Sequence, residues 1–537
     1  MALKTDTNFL DVLIVGAGFS GLYLLHRLRC NGFDVQIVEA APEVGGTWYH
    51  NRYPGLRCDV ESLEYQYSWS HELRSKWRWS ERYAKQSEIL AYAKWVADTL
   101  ELRDDILLNT RIRHAKWQED KKKWLAITDS DAEVSARHIV FATGALTVPR
   151  MPSISGINKF HGDLLHSAAW PEQPVDFQGK RVGLVGTGSS GVQIATAIAS
   201  EAGTLQIFQR SPAYSLPARN RPLSDSDYEN FLSHLEEFDA LAMRHRGGVV
   251  CPLPENGVLD VTQEEREKHL FQRWQHGGAF AFTSSFNDIQ TSETANAPVA
   301  EFLRARIREA VKDPDIAEKL CPDYFYGTRR TCVDTGYYEI FNQNHVQLVD
   351  VSQNAITEVT ENGLRLESGE EFDLDILIMA TGYDALTGGF LAVDVTGRDG
   401  LTNQEAWADG PATLLGLMIS GFPNLFMMAG PGSPSVLTNV IRSIEYHVDW
   451  LTRCFEDLRA AGLTVIEPSE EAQADWVSHV NDVASKTLFT KTPSWYCGSD
   501  IPGKPKLFMP YAGGLPAYRK KAEAAALRGY RGFRRGK

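Results

Sequence analysis

Two apolar runs in this chain end in the same glycine pattern. DVLIVGAGFSGLYLL sets Gly16, Gly18 and Gly21 in register, and RVGLVGTGSSGVQIA repeats the spacing with Gly186, Gly188 and Gly191. A strand that turns through such glycines into a helix brings backbone N–H groups and a helix N-terminus up to a pyrophosphate. At the same offset downstream, the first copy has Glu39 and the second has Gln209 followed by Arg210. A carboxylate there suits a free ribose 2′-hydroxyl, and a cation nearby suits a 2′-phosphate. The pair predicts two different dinucleotides, one of them NADPH, and redox chemistry passed between them. A third group is Asp59, at the end of GGTWYHNRYPGLRCD (Gly45 to Asp59), where Trp48 and Tyr53 either pack on a cofactor ring or join the core. A carboxylate desolvated among aromatics needs a cation. Arg329-Arg330, in YGTRRTCVDTGYYEIF, offers a permanent charge suited to clamping an anionic oxygen. By spacing alone the same pair reads as solvated surface arginines.

The elements that must position these groups follow from periodicity. Val12 to Val15 reads as a strand. The helix running on to Arg29 sets Leu22, Leu25 and Leu28 on one face, and a second strand, Val35 to Val38, ends at Glu39. His138 to Leu146 and Ile376 to Leu386 are apolar strands ending in Ala-Thr-Gly, and they bracket the second glycine turn. The expected fold is α/β, with two Rossmann-like dinucleotide-binding domains. Residues 1–147 and 380–537 would form an FAD domain, 148–222 and 323–379 an NADPH domain, and 223–322 a helical insertion. Within that insertion the spacing predicts helices over Ser224 to Met243 and Ala297 to Lys312, the latter stopping at Asp313-Pro314. Capping a substrate and simple packing are both open for them.

Composition narrows the classes. Across 537 residues, 55 basic against 69 acidic side chains give a net charge of −14, which argues against nucleic acid as a partner. The basic run from Arg519 to Lys537 reads as a solvated helix end. Seven scattered cysteines without a C-x-x-C pair point to a reducing compartment. They exclude a disulfide framework, a zinc ribbon and a dithiol reductase site, and no metal is expected. MALKTDTNFLD carries no signal-peptide apolar core. The charge-free stretch from Gly410 to Ile441 is broken by GFPN and GPGSPS, so it reads as buried strands and a loop rather than a span. A cytoplasmic protein with no membrane contact is expected.

Between the two turns lies FHGDLLHSAAWP. It resembles the F-x-G-x-x-x-H-x-x-x-W-P signature of type I Baeyer–Villiger monooxygenases, with Phe160, Gly162, His166, Trp170 and Pro171 in place. Related flavin-containing monooxygenases carry a shorter form without Trp-Pro. Gly46, Trp48, Tyr53, Pro54, Gly55 and Asp59 resemble the family's second fingerprint, and SWYCGSDIPGKP is similar too. GPGSPSVLTNVIRSIE (Gly430 to Glu445) resembles the longer active-site loop of the phenylacetone and steroid monooxygenase branch, although Ala145 stands where phenylacetone monooxygenase has glutamine.

The resemblance implies that NADPH reduces FAD and that O₂ adds to give a flavin C4a-peroxide. Attack on a ketone, bulky and cyclic or aryl, then yields an ester or lactone. It assigns Arg330 as the catalytic arginine and Asp59 as the carboxylate that holds it. Gly16, Gly18, Gly21 and Glu39 would hold FAD, with Tyr65 and Ile112 as further FAD contacts. Thr47, Trp48, Tyr49, Arg57, Cys58, Asp59 and Val440 would add cofactor contacts. Thr187, Gly188, Ser189, Ser190 and Gly191 would cradle the NADPH pyrophosphate, and Arg210 and Arg329 would meet the 2′-phosphate, with Ser211 and Arg330 also against the cofactor. Trp495 would touch the nicotinamide ribose from a mobile C-terminal loop. Val60, Gln86, Ser435, Val436 and Leu437 would line the substrate pocket, and His166 would serve an interdomain linker. The partners implied are a small-molecule ketone and O₂, with the oligomeric state left open and compatible with a monomer. An N- or S-oxygenating flavin monooxygenase and a catalytically silent flavoprotein that reports NADPH are the alternatives.

Overall fold

The computed structural model describes residues 9–537. Strand Leu10–Val15 is buried at every position but the half-buried Asp11, as expected of a parallel strand covered on both faces. It lies between Val35–Val38 and Glu133–Phe141, both parallel to it, with Val12 opposite Val35 on one side and His138 on the other. Ile106–Leu107 extends that sheet beyond Val35–Val38, while Lys123–Thr128 and Ile112–Gln118 continue it antiparallel from Glu133–Phe141. Two late segments complete it: Asp394–Thr396 pairs with Ile112–Gln118, and Leu425–Met427 with Glu133–Phe141. Residues from both ends of the chain thus build one sheet. The 21-residue helix Val440–Ala460 packs on helix Phe19–Cys30, pinned by Tyr23 donating to Asp449 at 2.9 Å.

The second sheet has five parallel strands in the order Val346–Asp350, Thr204–Gln209, Arg181–Val185, Ile376–Met379 and Asp163–His166. The chain is therefore α/β, with two doubly wound dinucleotide-type units, each opened by one glycine turn. Both Ala-Thr-Gly strands end earlier than their sequence suggests, at Phe141 and Met379.

Helices Gln263–His276, Ala279–Thr283 and Glu293–Ala310 pack around Phe282, Phe286, Ile289, Val299, Leu303 and Tyr326. The expected helix from Ser224 to Met243 is two helices, Asp225–Ser233 and Leu235–Arg244, broken at His234 (φ −120°, ψ 23°). The halves dock on different surfaces. Tyr228 turns toward the first unit and donates to the Trp79 carbonyl at 2.9 Å, whereas Leu235–Arg244 packs on the C-terminal helix Leu515–Leu527. The other expected helix runs earlier than its apolar pattern, from Glu293 to Ala310, and contains Pro298. Asp313 and Pro314 begin a new helix, Pro314–Leu320, because the Asp313 carboxylate caps the N–H groups of Asp315 and Ile316.

The basic tail differs from expectation as well. Its helix ends at Leu527, and Phe533–Gly536 forms an antiparallel strand on Val465–Pro468, a partner too distant in sequence to be read from the tail. The stretch 410–441 holds strand Leu425–Met427 and a 3₁₀ turn, Ser435–Leu437. Among the described residues, no helix is long and apolar enough to cross a membrane.

Candidate active site

Each glycine turn leaves a helix N-terminus without a side-chain cap. Phe19–Cys30 begins after Gly18 and Ser189–Ile198 after Gly188, and neither first turn contains an acid. Unbonded N–H groups at a dipole's positive end are an anion seat. In the second turn, Gly186 sits at φ +109°, where a Cβ would come within 2.5 Å of the Ala380 carbonyl oxygen; a Cβ on Gly188 would meet nothing within 4 Å. The first glycine is needed for the turn itself, and the space at Gly188 is what a close-approaching phosphate requires.

At the ends of the following strands, Glu39 and Arg210 differ as their sequences do. Glu39 is buried, and its carboxylate accepts from the backbone N–H of Ala17 at 2.6 Å and of Ala41 at 2.8 Å. A carboxylate has lone pairs left for two ribose hydroxyls beyond these bonds. Arg210 is exposed and has no protein hydrogen bond or ion pair among the described residues. Thr187 donates to the Ser211 carbonyl at 2.8 Å and ties the turn to that segment.

The loop from Gly45 to Asp59 connects the parts. It begins against the first turn, Gly46 meeting Gly18, and contains the short helix Thr47–His50. Trp48 donates through Nε1 to Tyr65 Oη at 3.2 Å, its ring edge-on to Tyr65. Tyr53 does not lie with Trp48. It reaches the second unit, where its hydroxyl accepts from Ser190 Oγ at 3.0 Å and donates to Gln193 Oε1 at 3.1 Å. The Arg57 guanidinium is taken by Glu81 at 2.5 Å and the Tyr83 carbonyl at 2.8 Å, and its own carbonyl accepts from Gln193 Nε2. Cys58 is buried, which raises its thiol pKa well above the ordinary range. Tyr49 lies in the short helix under the Arg52 guanidinium, buried Ile112 opens its strand, and Val440 opens the long helix.

At the loop's end, Asp59 meets Arg330, 271 positions away, in a two-pronged ion pair: Nε to Oδ2 at 2.6 Å and Nη2 to Oδ1 at 2.7 Å. Arg330 Nη1 donates to the Val436 carbonyl at 2.5 Å, and the guanidinium lies over Phe280, 5.3 Å from the ring centre. Burial works against the guanidinium charge, but Asp59 outweighs it and raises the Arg330 pKa above its ordinary value. Each partner keeps about a quarter of its side-chain surface open, onto cavity space.

A cavity of about 380 Å³ is lined by Phe280, Arg329, Arg330, Leu437, Phe489 and Tyr496 among others. A second, of about 290 Å³, holds Asp59, Val60 and Glu64, and Ala279 and Phe280 form the wall common to both. Ser435, at φ +43°, donates to the Ala429 carbonyl at 2.9 Å and sets the turn that aims Val436 at Arg330. Gln86, Ser435 and Val436, expected at the pocket, line neither cavity; the Gln86 amide donates to the Trp48 carbonyl instead. Arg329 donates to the Pro493 carbonyl at 2.9 Å and lies over Tyr324. Trp495 opens a 3₁₀ turn, half-buried against Tyr496. Ser189 Oγ is 3.7 Å from Cys332 Sγ.

Phe280 and Tyr496 were not anticipated from sequence, although the adjacent Gly277 and Gly278, both at positive φ, mark the turn that delivers Phe280. His166 accepts the Ala168 N–H through Nδ1 and faces the Arg150 carbonyl through Nε2 at 3.1 Å. Burial lowers its pKa. It is a neutral imidazole holding the segments that join the two units.

Comparison with known proteins agrees with this geometry. The family model for flavin-binding monooxygenase-like proteins matches residues 10–228. A Baeyer–Villiger monooxygenase of Pseudooceanicola batsensis is 41% identical over 98% of this chain and 96% of its own length. A phenazine N-monooxygenase of Lysobacter antibioticus is 38% identical over 99% of this chain and 98% of its own. The structure of an oxidized steroid monooxygenase bound to NADP superimposes with a TM-score of 0.94 at 44% identity, covering 98% of this chain and all of that one. With both glycine turns and the Asp59–Arg330 pair in place, the chain belongs to the flavin-binding monooxygenases and, within them, to the Baeyer–Villiger monooxygenases.

Proposed function

We propose that this chain oxygenates ketones, consuming NADPH and O₂: ketone, O₂, NADPH and a proton become ester or lactone, NADP⁺ and water. The observation that carries this reading is the Asp59–Arg330 pair, set where a single loop touches both glycine turns. The first turn and Glu39 fit FAD; the second turn, Thr187 to Gly191, fits the NADPH pyrophosphate, and unpaired Arg210 fits its 2′-phosphate. When bound, FAD takes electrons from NADPH and supplies the activated oxygen.

The chain's own residues then supply electrostatics and exclusion. Arg330 is a fixed cation at the cavity wall, positioned for the negative charge that develops on the ketone oxygen as its carbon becomes tetrahedral. One such oriented donor is worth about 3 kcal/mol, roughly a hundredfold in rate. Asp59 holds two guanidinium N–H groups along one edge and the Val436 carbonyl takes a third, so little reorganisation is left for the reaction. Phe280, Leu437, Phe489 and Tyr496 displace water from that side of the cavity. Trp48, Tyr65, Ile112 and Val440 are assigned to FAD, and Arg329 and Trp495 to NADPH.

Heteroatom oxygenation has one observation in its favour, the phenazine N-monooxygenase relative. Purified yellow protein assayed with NADPH against linear, cyclic and polycyclic ketones, a sulfide and an amine separates the two. Ester or lactone formation is the expected result. Brisk sulfide or amine oxidation with no ketone product would replace this reading by the other.

A further inference from the structure

The larger cavity is lined by three arginines and by no aspartate or glutamate. Two of the three are committed. Arg330 is clamped by Asp59 and Val436, and Arg329 by the Pro493 carbonyl and the Tyr324 ring. The third, Arg246, follows helix Leu235–Arg244 and belongs to the side formed by Tyr511, Ala512 and Gly514. Its backbone is fixed from two directions: its carbonyl accepts from Leu515 N at 2.9 Å, and the Gly247 carbonyl accepts from Asn439 N at 2.7 Å. The active-site loop and the C-terminal helix therefore both hold it in place.

The guanidinium has one neutral partner, the Ala512 carbonyl, which accepts from Nη2 at 2.8 Å. It has no carboxylate partner among the described residues. The buried Arg74 and Arg442, by contrast, share the Asp239 carboxylate. Surrounding protein presses the Arg246 pKa below its ordinary value, and the Tyr511 phenol offsets this only in part. Arg246 is itself exposed, so its guanidinium stands open to an incoming acceptor rather than sealed inside the protein. The remaining guanidinium N–H groups suit a planar two-oxygen acceptor.

We propose that Arg246 anchors an anionic substituent of the substrate, so that the ketones this enzyme prefers carry a carboxylate or phosphate remote from the carbonyl. The proposal rests on the ketone-oxygenating reading and names the substrate class of that site. Arg330 then meets the carbonyl oxygen at one part of the cavity and Arg246 the anion at another. Neutral Leu437 and Phe280 line the space shared by both.

The test compares a keto acid with its methyl ester and with a phosphate-bearing ketone of the same skeleton, by kcat/KM at saturating NADPH. A charge-assisted contact predicts a preference of about tenfold to a hundredfold for the anion over the ester. R246M brings the acid down to the level of the ester, and R246K retains part of the preference. The arm with the larger preference identifies carboxylate or phosphate. Calorimetric titration of NADP⁺-loaded holoenzyme with the same compounds reads anion binding without turnover. Equal affinity for acid and ester overturns the assignment. So does a raised NADPH KM in R246M with the preference intact, since Arg246 would then be a cofactor contact. Anion-selective binding with no oxygenation of any ketone leaves the anchor standing and sinks the ketone-oxygenating reading.

Discussion

Asp59→Asn removes one charge and leaves the shape of the site. In the native pair, two guanidinium N–H groups meet two carboxylate oxygens at 2.6 and 2.7 Å, with a quarter of each side chain open. Breaking a fully buried ion pair costs about 3–5 kcal/mol. An amide still accepts one of the two bonds, and the partial exposure lowers the penalty, which leaves about 2–3 kcal/mol lost. Carried into the barrier, that is a fall of roughly 30- to 160-fold in kcat for ester formation. Arg330 keeps its bond to the Val436 carbonyl, so the arginine is loosened rather than released. The assay is product formation at saturating NADPH, with flavin content read from absorbance to show that the cofactor is retained. NADPH consumption continues in the variant and uncouples from ester. A variant with full flavin, wild-type kcat and unchanged coupling would refute the role of Asp59 in holding Arg330.

Gly188→Ala meets no atom within 4 Å, so it leaves the melting temperature unchanged while raising the NADPH KM about tenfold or more. Gly186→Ala, at φ +109° and facing the Ala380 carbonyl, destabilises by about 2–3 kcal/mol, and denaturant melts of the two variants check the contrast. Arg210→Ala raises the KM for NADPH about tenfold with little change for NADH; equal effects on both cofactors would remove Arg210 from the 2′-phosphate. Glu64 is pushed up to about 8, chiefly by burial and then by the Glu61 charge. The native state therefore holds this proton more tightly than the unfolded chain. That stabilisation is complete below about pH 4.5 and is lost as pH rises through about 8. The melting temperature of the wild type should fall relative to Glu64→Gln between about pH 5 and 8 and level off above it, and a constant difference across that window would contradict it.

Both dinucleotide units were legible in sequence because each signal is local: a strand, a glycine turn, a helix, and one residue at the end of the next strand. The electrostatic contrast of Glu39 with Arg210 is local in the same way. Asp59 and Arg330 are 271 positions apart, and their pairing depends on how two units and a helical insertion dock, which no spacing records. The need of a desolvated carboxylate for a cation pointed to the Arg329-Arg330 pair, and only the resemblance singled out Arg330. Phe280 and Tyr496 escaped notice because a single aromatic in a long chain is most often core, and their place beside Arg330 is set by tertiary packing. Tyr53 was legible as an important aromatic but not as the residue that crosses to Ser190. The break at His234 has the same origin: the apolar spacing continues through it, but the two halves face different surfaces. The tail's strand pairs with Val465–Pro468, and its basic composition carries no trace of that partner.

The most direct test uses holoenzyme, NADPH, ¹⁸O₂ and a bulky cyclic ketone, with product analysed by mass spectrometry. A lactone carrying one ¹⁸O atom is predicted from the wild type, and none from Arg330→Ala, which keeps its flavin and still consumes NADPH. Lactone formed at the wild-type rate by Arg330→Ala, or a wild type that oxygenates only sulfides and amines, would contradict the account.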